Sequence, residues 1–259
     1  MRSPYPEATL TPQLVGFLLM ILAASCTTCE RESQGPRDEP NLLRNPGFEE
    51  GRERWSADEK SPLWGEFQVA ESPTRSGSRS VHFAVDSSAD ATPRPSKVFG
   101  VFQDLTVHPF PERVTGYYRV EDWQNETEGG ALYLQVVVVV FGGPPTQGII
   151  GTAKSSLSRQ SNYQIRYYLA GAPEVAVTIS NAKIEIRSGD PPPLKEWVRF
   201  DLPVRRDFER LWGAVPEDYE KVRFLFEARW DKKRDRGSVV KSNVYYDDLS
   251  VVPHVAATD

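Results

Sequence analysis

The sequence predicts an all-β fold, an antiparallel sandwich or barrel with one short helix. From residue 41 onward, runs rich in Val, Tyr, Phe and Ile alternate with Gly, Pro, Ser and Asp breaks at short intervals. Strands and helices do not alternate along the chain, which argues against a parallel sheet. The one convincing helical stretch is 205–213, where large apolar residues recur at helical spacing and Gly213 ends the run.

The strands are predicted from the apolar runs between these breaks. In chain order they are 64–71, 79–86, 97–107, 113–123, 131–141, 163–170, 174–179, 182–187, 195–204, 219–230 and 243–252. The run Val136–Phe141 is apolar on both sides, which indicates a central strand covered on both faces or a strand that lines a groove. Segment 142–162 is rich in Gly, Pro and Ser and is expected to form a long loop.

Residues 1–25 have the pattern of an export signal. The uncharged run Leu14–Ala24 is too short to span a bilayer, which takes about 20 apolar residues, and small residues follow it up to Cys26. The ending Leu-Ala-Ala-Ser-Cys resembles the lipobox of bacterial lipoproteins, in which the cysteine is lipidated and becomes the first mature residue. This resemblance implies a lipoprotein signal peptide over 1–25 and lipidation of Cys26. The alternative is an ordinary cleaved signal followed by an unmodified cysteine.

The next segment, 26–40, is expected to be a flexible charged tether, because it holds Gly, Pro and charged residues but no large apolar side chain. A lipid at its start implies a lipoprotein of the bacterial cell envelope, anchored in the outer membrane. Cys26 and Cys29 are the only cysteines, so the folded part has no disulfide framework and no thiolate metal site. The formal net charge of −5 argues against nucleic acid as a partner.

The two ends of the remaining chain resemble a known family. Asn41–Gly51, with the sequence NLLRNPGFEEG, is similar to the opening of carbohydrate-binding modules with a galactose-binding-like jelly roll. Tyr245–Val251, with the sequence YYDDLSV, resembles their closing strand. Between them, Ser76–Val81 matches the family's short Ser-Gly turn before a strand, and Lys195–Phe200 matches its late Trp-containing strand. The resemblance implies one jelly-roll β-sandwich domain over 41–259 that binds carbohydrate.

The same resemblance implies a structural Ca²⁺ site. In that family the matching Glu and Asp, here Glu49 and Asp247, hold the ion with backbone carbonyls, which would lie near Gly51 and Ser76. Ca²⁺ prefers such oxygen ligands, and a lone buried carboxylate needs compensation. The alternative is that Asp247 is only hydrogen-bonded to a neighbouring loop. Strand alternation is expected to place four residues on one face: Tyr245, Asp247, Leu249 and Val251.

A sugar-binding surface needs flat aromatic rings for sugar C–H faces and polar groups for hydroxyls. Alternation supplies a candidate, because the side opposite the apolar one carries aromatic, amide and charged residues in four of the predicted strands. The predicted ligand-binding residues on one shared face are Tyr117, Arg119, Trp123, Tyr133, Gln135, Arg166, Tyr168 and Glu227. The alternative is that β-propensity alone explains the Tyr and Trp residues.

The sequence offers no convincing catalytic set. His82, His108 and His254 are isolated, and the adjacent pairs Glu121-Asp122 and Asp247-Asp248 point to opposite faces of a strand. We therefore expect a non-catalytic envelope lipoprotein whose β-sandwich binds carbohydrate. Two alternatives remain, a structural or adhesion lipoprotein that binds a protein partner, and a polysaccharide lyase or hydrolase.

Overall fold

A computed structural model describes residues 40–88, 96–125, 131–142, 162–171, 181–231 and 239–255. All of them belong to one compact unit, Glu39–Asp259. The predicted signal peptide, Cys26, the tether up to residue 39, the predicted strand 174–179 and most of the predicted loop lie outside the described residues. Within the described ranges, no helix has both the length and the apolar character needed to cross a membrane.

The described strands match the predicted ones closely. They are β1 (Gln68–Ala70), β2 (Ser80–Asp86), β3 (Ser96–Leu105), β4 (Arg113–Asn125), β5 (Ala131–Phe141), β6 (Tyr163–Ala170), β7 (Ala182–Ile186), β8 (Trp197–Leu202), β9 (Lys221–Asp231) and β10 (Val240–Val252). The helix α1 spans Val204–Trp212. It ends at Gly213, whose φ of 84° lies in the left-handed region that a residue without Cβ adopts at little cost.

These strands form two five-stranded sheets. Sheet I has the order β1-β2-β10-β4-β8 and sheet II has the order β3-β9-β5-β6-β7. Neighbouring strands are antiparallel except β6 and β7, which run parallel at the edge of sheet II. The expectation of purely antiparallel pairing is wrong for this pair, because the alternation of side chains along a strand carries no information on its direction.

The hydrophobic core lies between the two sheets. Every second residue of β9 is apolar and buried on its inward side, namely Val222, Phe224, Phe226, Ala228 and Trp230. Its Phe226 ring lies 6.1 Å from Tyr246 of β10 and 6.3 Å from Phe200 of β8, measured between ring centroids. Rings from both sheets therefore meet in one cluster, and the predicted β-sandwich with a single short helix is confirmed.

The closing strand β10 does not alternate throughout. Its pairing with β4 shifts between Asp247 and Ser250, and Asp248 has a φ of 50°. Such a bulge changes which residues face the core. Tyr246 and Leu249 point inward, whereas Tyr245 stacks on His82 on the outer side at 4.4 Å. The expectation that Tyr245 shares a face with Leu249 and Val251 is therefore wrong.

Candidate functional site

Five of the eight predicted ligand-binding residues lie together on the outer face of sheet II, the face turned away from the core. They are Tyr133, Gln135, Arg166, Tyr168 and Glu227. Strand register brings them together, because Gln135 of β5 pairs with Glu227 of β9 on one side and with Tyr168 of β6 on the other. Alternation along each strand predicts that these side chains point away from the core, and the pairing of β5 with β6 and β9 brings them together on one face.

The centre of this face is a buried polar network. Gln135 Nε2 donates a hydrogen bond to Glu227 Oε2, and Tyr133 Oη donates to Asp231 Oδ2 at 2.5 Å. Arg229 Nε donates to the other oxygen of Asp231 at 3.0 Å. Only 1% of Tyr133 and 4% of Glu227 is exposed, so the network is internal although it faces away from the core.

Burial controls the protonation of this network. It raises the pKa of Glu227 above its ordinary value, and the nearby Arg229 and the hydrogen bond from Gln135 only partly oppose that effect. Burial likewise raises the pKa of Tyr133 and Tyr168, whose rings lie 4.9 Å apart. Gln135 Oε1 is also buried and has no hydrogen-bond partner within the described residues. These side chains hold β5, β6 and β9 in place behind the accessible part of the face.

The accessible part is a cluster that we call the arginine stack: Phe102 of β3, Arg223 of β9 and Phe141 of β5, all half-buried. The Arg223 Cζ atom lies 3.8 Å from the Phe102 ring centroid and 5.2 Å from that of Phe141. Arg223 Nε and Nη2 donate to the two oxygens of Asp104 at 2.6 and 2.9 Å. This paired contact fixes the guanidinium plane against both rings.

Asp104 is held in its charged form by these contacts. Burial alone would raise its pKa, but the hydrogen bonds from Arg223 and Lys221 together hold the pKa below its ordinary value. In the strand register, Val139 of β5 pairs with Arg223 of β9 on one side and with Gln164 of β6 on the other. The arginine stack therefore continues into the half-buried polar side chains of β6.

The arginine stack was missed by sequence reasoning. Alternation along β9 places Arg223 on the side opposite the apolar Val222 and Phe224, and Phe141 ends a run that is apolar on both sides. What no single strand shows is that β3 lies beside β9, which brings Phe102 onto Arg223. The missing information was long-range pairing.

Tyr117 and Arg119 lie elsewhere, on the outer face of sheet I. The Arg75 guanidinium covers the Tyr117 ring at 4.7 Å, and Arg119 Nε forms a salt bridge with Glu121 Oε1 at 2.6 Å. Both residues belong to β4, which pairs with β10 and β8 in sheet I. The expectation that they share a face with Tyr133 is wrong, because the two outer faces lie on opposite sides of the sandwich.

Trp123 lies on neither outer face. The pairing of β4 with β10 shifts so that Glu121 is an extra residue, and alternation reverses beyond it. Trp123 then pairs with Ser242, which is 0% exposed, and packs against the core. A Cβ placed on Gly171 would approach Trp123 Cζ2 to 2.7 Å. The expectation that Trp123 belongs to the ligand-binding face is therefore wrong.

The predicted calcium ligands, Glu49 and Asp247, approach the same point. A Cβ placed on Gly47 would meet Asp247 Oδ1 at 3.6 Å and Glu49 Oε1 at 3.9 Å. Asp247 is 0% exposed and accepts hydrogen bonds from the backbone of Arg75 at 2.7 Å and of Asp248 at 2.7 Å. Burial raises its pKa to about 6 in spite of those bonds.

Glu49 is exposed, and hydrogen bonds from the side chain and backbone of Ser78 hold its pKa below its ordinary value. No group of three or more His, Cys, Asp or Glu side chains is placed to hold a metal within the described ranges. The two carboxylates nevertheless fit a cation in one respect. Asp247 is a buried acid that accepts hydrogen bonds from backbone N–H groups of the described residues, so a cation would compensate its charge.

The chain is similar to several solved structures, but no family is identified for it. No family model and no curated protein matches the chain. The chain is similar to TmCBM61 in complex with β-1,4-galactotriose, at 12% identity and a TM-score of 0.40, over 83% of this chain and 99% of that one. It is also similar to the CBM22-1 xylan-binding domain of Paenibacillus barcinonensis Xyn10C, at 14% identity and a TM-score of 0.39, over 85% and 100%.

Proposed function

We propose that this protein binds carbohydrate on the outer face of sheet II, at the arginine stack. The observation that carries the proposal is the contact of the Arg223 guanidinium with the rings of both Phe102 and Phe141. Aromatic rings offer apolar surface to sugar C–H groups, and a guanidinium offers several N–H donors to hydroxyls. Because Asp104 already fixes Arg223, little side-chain freedom remains to be lost on binding.

Arg166 and Gln164 extend the surface on its β6 side. Arg166 Nε donates to Gln164 Oε1 at 3.0 Å, and both side chains are half-buried. They would donate to and accept from sugar hydroxyls next to the aromatic part. Tyr133, Gln135, Tyr168 and Glu227 act behind this surface as positioning residues, in place of the direct contacts expected from the sequence.

The test is a titration of the purified protein with defined oligosaccharides, after a glycan array has identified the binders. The first ligands are β-1,4-galactotriose, which one similar structure contains, and xylo-oligosaccharides as fragments of xylan, after which the other is named. Phe141→Ala and Arg223→Ala are each expected to weaken binding about tenfold, because each removes one side of the stack. The matched control is Tyr117→Ala, which removes an aromatic from the outer face of sheet I. Loss of affinity in the control with unchanged affinity in both stack variants would contradict the proposal.

The binding module acts without catalysis and is tethered to the bacterial envelope by a lipid on Cys26. The support for the anchor is the short apolar run that ends in small residues directly before this cysteine. Intact-mass measurement of the mature N-terminus tests it, since an unmodified Cys26 would contradict the anchor. Release of products from a polysaccharide would favour the lyase or hydrolase alternative. Recovery of a protein partner together with failure to bind any glycan would favour the adhesion alternative.

A Ca²⁺ ion completes the domain between Glu49 and Asp247. The support is the convergence of both carboxylates on Gly47 and the burial of Asp247, which accepts hydrogen bonds from the backbone N–H groups of Arg75, Ser76 and Asp248. The ion would neutralise Asp247 and join the 45–51 loop to β10. Calcium is a hard cation that prefers such carboxylate oxygens.

A further inference from the structure

A cavity of about 540 Å³ opens beside β3 at the edge of sheet II. Its size lies within the range of roughly 300–1,000 Å³ that is usual for ligand pockets. Arg44, Arg54 and Ser56 line it from two segments that precede β1. Phe102, Asp104 and Thr106 line it from the end of β3 and the residues that follow. Phe102 is thus shared between this cavity and the arginine stack.

Two arginine side chains of the lining have no anionic partner among the described residues. Within the described residues, neither the Arg44 nor the Arg54 guanidinium takes part in a hydrogen bond or a salt bridge. The one carboxylate of the lining, Asp104, is already engaged by Lys221 and Arg223. The cavity is therefore locally positive in a chain whose formal net charge is −5.

The backbones that carry these arginines are fixed to β3 and to the neighbouring loop. The Gln103 side chain, 6% exposed, accepts from Arg44 N at 3.1 Å and donates to Arg44 O at 2.6 Å. Ser56 and Phe102 exchange two backbone hydrogen bonds of 3.1 and 2.9 Å. Arg54 has a φ of 71°, a strained conformation that its surroundings must maintain. Both side chains therefore extend from well-defined backbone positions at the cavity.

We propose that this cavity binds the anionic group of an acidic saccharide, a uronate carboxylate or a sulfate ester, through Arg44 and Arg54. A guanidinium donates paired N–H groups to such oxyanions, which matches an anion better than a neutral sugar. The Ser56 and Thr106 hydroxyls lie in the lining, where they can meet sugar hydroxyls. The inference rests on the proposed carbohydrate binding, since Phe102 would let one saccharide span the arginine stack and the cavity.

The test compares three oligosaccharides of equal length by calorimetric titration: a neutral galactan, an oligogalacturonide and a sulfated galactan. At least one acidic ligand is expected to bind about tenfold more tightly than the neutral one, and that advantage is expected to shrink as salt is added. The double variant Arg44→Gln, Arg54→Gln is expected to abolish the advantage and leave the affinity for the neutral galactan unchanged. The acidic ligand that shows the advantage identifies carboxylate or sulfate.

The matched control is Arg199→Gln, which removes an exposed arginine of β8 in sheet I. Circular dichroism verifies that every variant is folded. Equal affinities for all three ligands would overturn the inference and leave the proposed function standing. An advantage that persists in the double variant, or that Arg199→Gln abolishes, would also overturn it. Acidic ligands could also bind through Arg44 and Arg54 with an affinity that Phe141→Ala leaves unchanged. That result would support this cavity site and overturn the arginine stack as the main binding surface.

Discussion

Within the buried network, the protonation of Glu227 is expected to have the largest effect on the free energy of unfolding. Its side chain is 4% exposed and accepts a hydrogen bond from Gln135 Nε2. Burial is the largest influence on its pKa and raises it. Glu227→Gln keeps the size of the side chain and an acceptor for Gln135, and it removes the charge.

The sign of the effect follows from proton linkage. In the unfolded chain the carboxyl has its ordinary pKa of 4.5, whereas in the folded protein the pKa is higher. The stability that this carboxyl contributes is fully present below pH 4.5 and is lost as the pH rises through the folded-state pKa. Between the unfolded-state pKa and the folded-state pKa, the free energy of unfolding falls by up to about 1.4 kcal/mol per pH unit. The glutamine variant has no such loss.

The assay is urea denaturation of the wild type and Glu227→Gln at several pH values from 5 to 8. We expect the free energy of unfolding of the variant, relative to that of the wild type, to increase steadily with pH. Glu209→Gln, at an exposed position of α1, is the matched control and should give no such trend. Parallel pH curves for Glu227→Gln and the wild type would refute the reasoning. So would a variant that becomes relatively less stable at high pH, since Glu227 would then be a stabilising anion beside Arg229.

Two further predictions concern the interior and the metal. Trp123→Ala should lower the free energy of unfolding in urea by about 2–3 kcal/mol, because the ring packs against the core. The comparison is Tyr117→Ala, which removes a ring from the outer face of sheet I. If both variants lose the same small free energy of unfolding, Trp123 lies on the surface instead. Millimolar Ca²⁺ should raise the Tm of the wild type above its value in EDTA, because an ion that binds only the folded state stabilises it. The shift should vanish in Asp247→Asn, and equal Tm values for the wild type in Ca²⁺ and EDTA would contradict the calcium site.

Strand alternation predicted the parts of the molecule that depend on neighbours along the chain. Apolar residues alternate along β6 and β9, and those residues lie in the core, such as Ile165 and Tyr167 of β6 and Phe224 of β9. The run Val136–Phe141 was expected to form a central strand covered on both faces or a strand that lines a groove, and β5 is the central strand of sheet II with Val136 and Val137 both buried. These features follow from period-two geometry alone.

Sheet membership could not be predicted in the same way. β4 pairs with β10 and β8, whereas β5 pairs with β9 and β6, so Tyr117 and Tyr133 are separated by the whole sandwich. Which strands become neighbours depends on long-range contacts, and similar alternation in two strands does not place them in one sheet. The error over Tyr117 and Arg119 arose from treating a shared pattern as a shared surface.

Irregular pairing is the second limit of alternation. The extra residue at Glu121 turns Trp123 inward, and the shift near Asp248 separates Tyr245 from Leu249. A polar residue at a bulge resembles any other polar residue of a strand, so the local sequence does not mark it. Trp123, the largest aromatic of the expected face, was assigned to the wrong side for this reason.

A two-dimensional NMR titration with the best oligosaccharide tests the central proposal most directly, because it locates the ligand on the protein. Carbohydrate binding at the arginine stack predicts that amide shifts concentrate in β3, β5 and β9, around Phe102, Phe141 and Arg223. Shifts concentrated in β4 around Tyr117 and Arg119, with β3, β5 and β9 unaffected, would contradict it and place the ligand on sheet I.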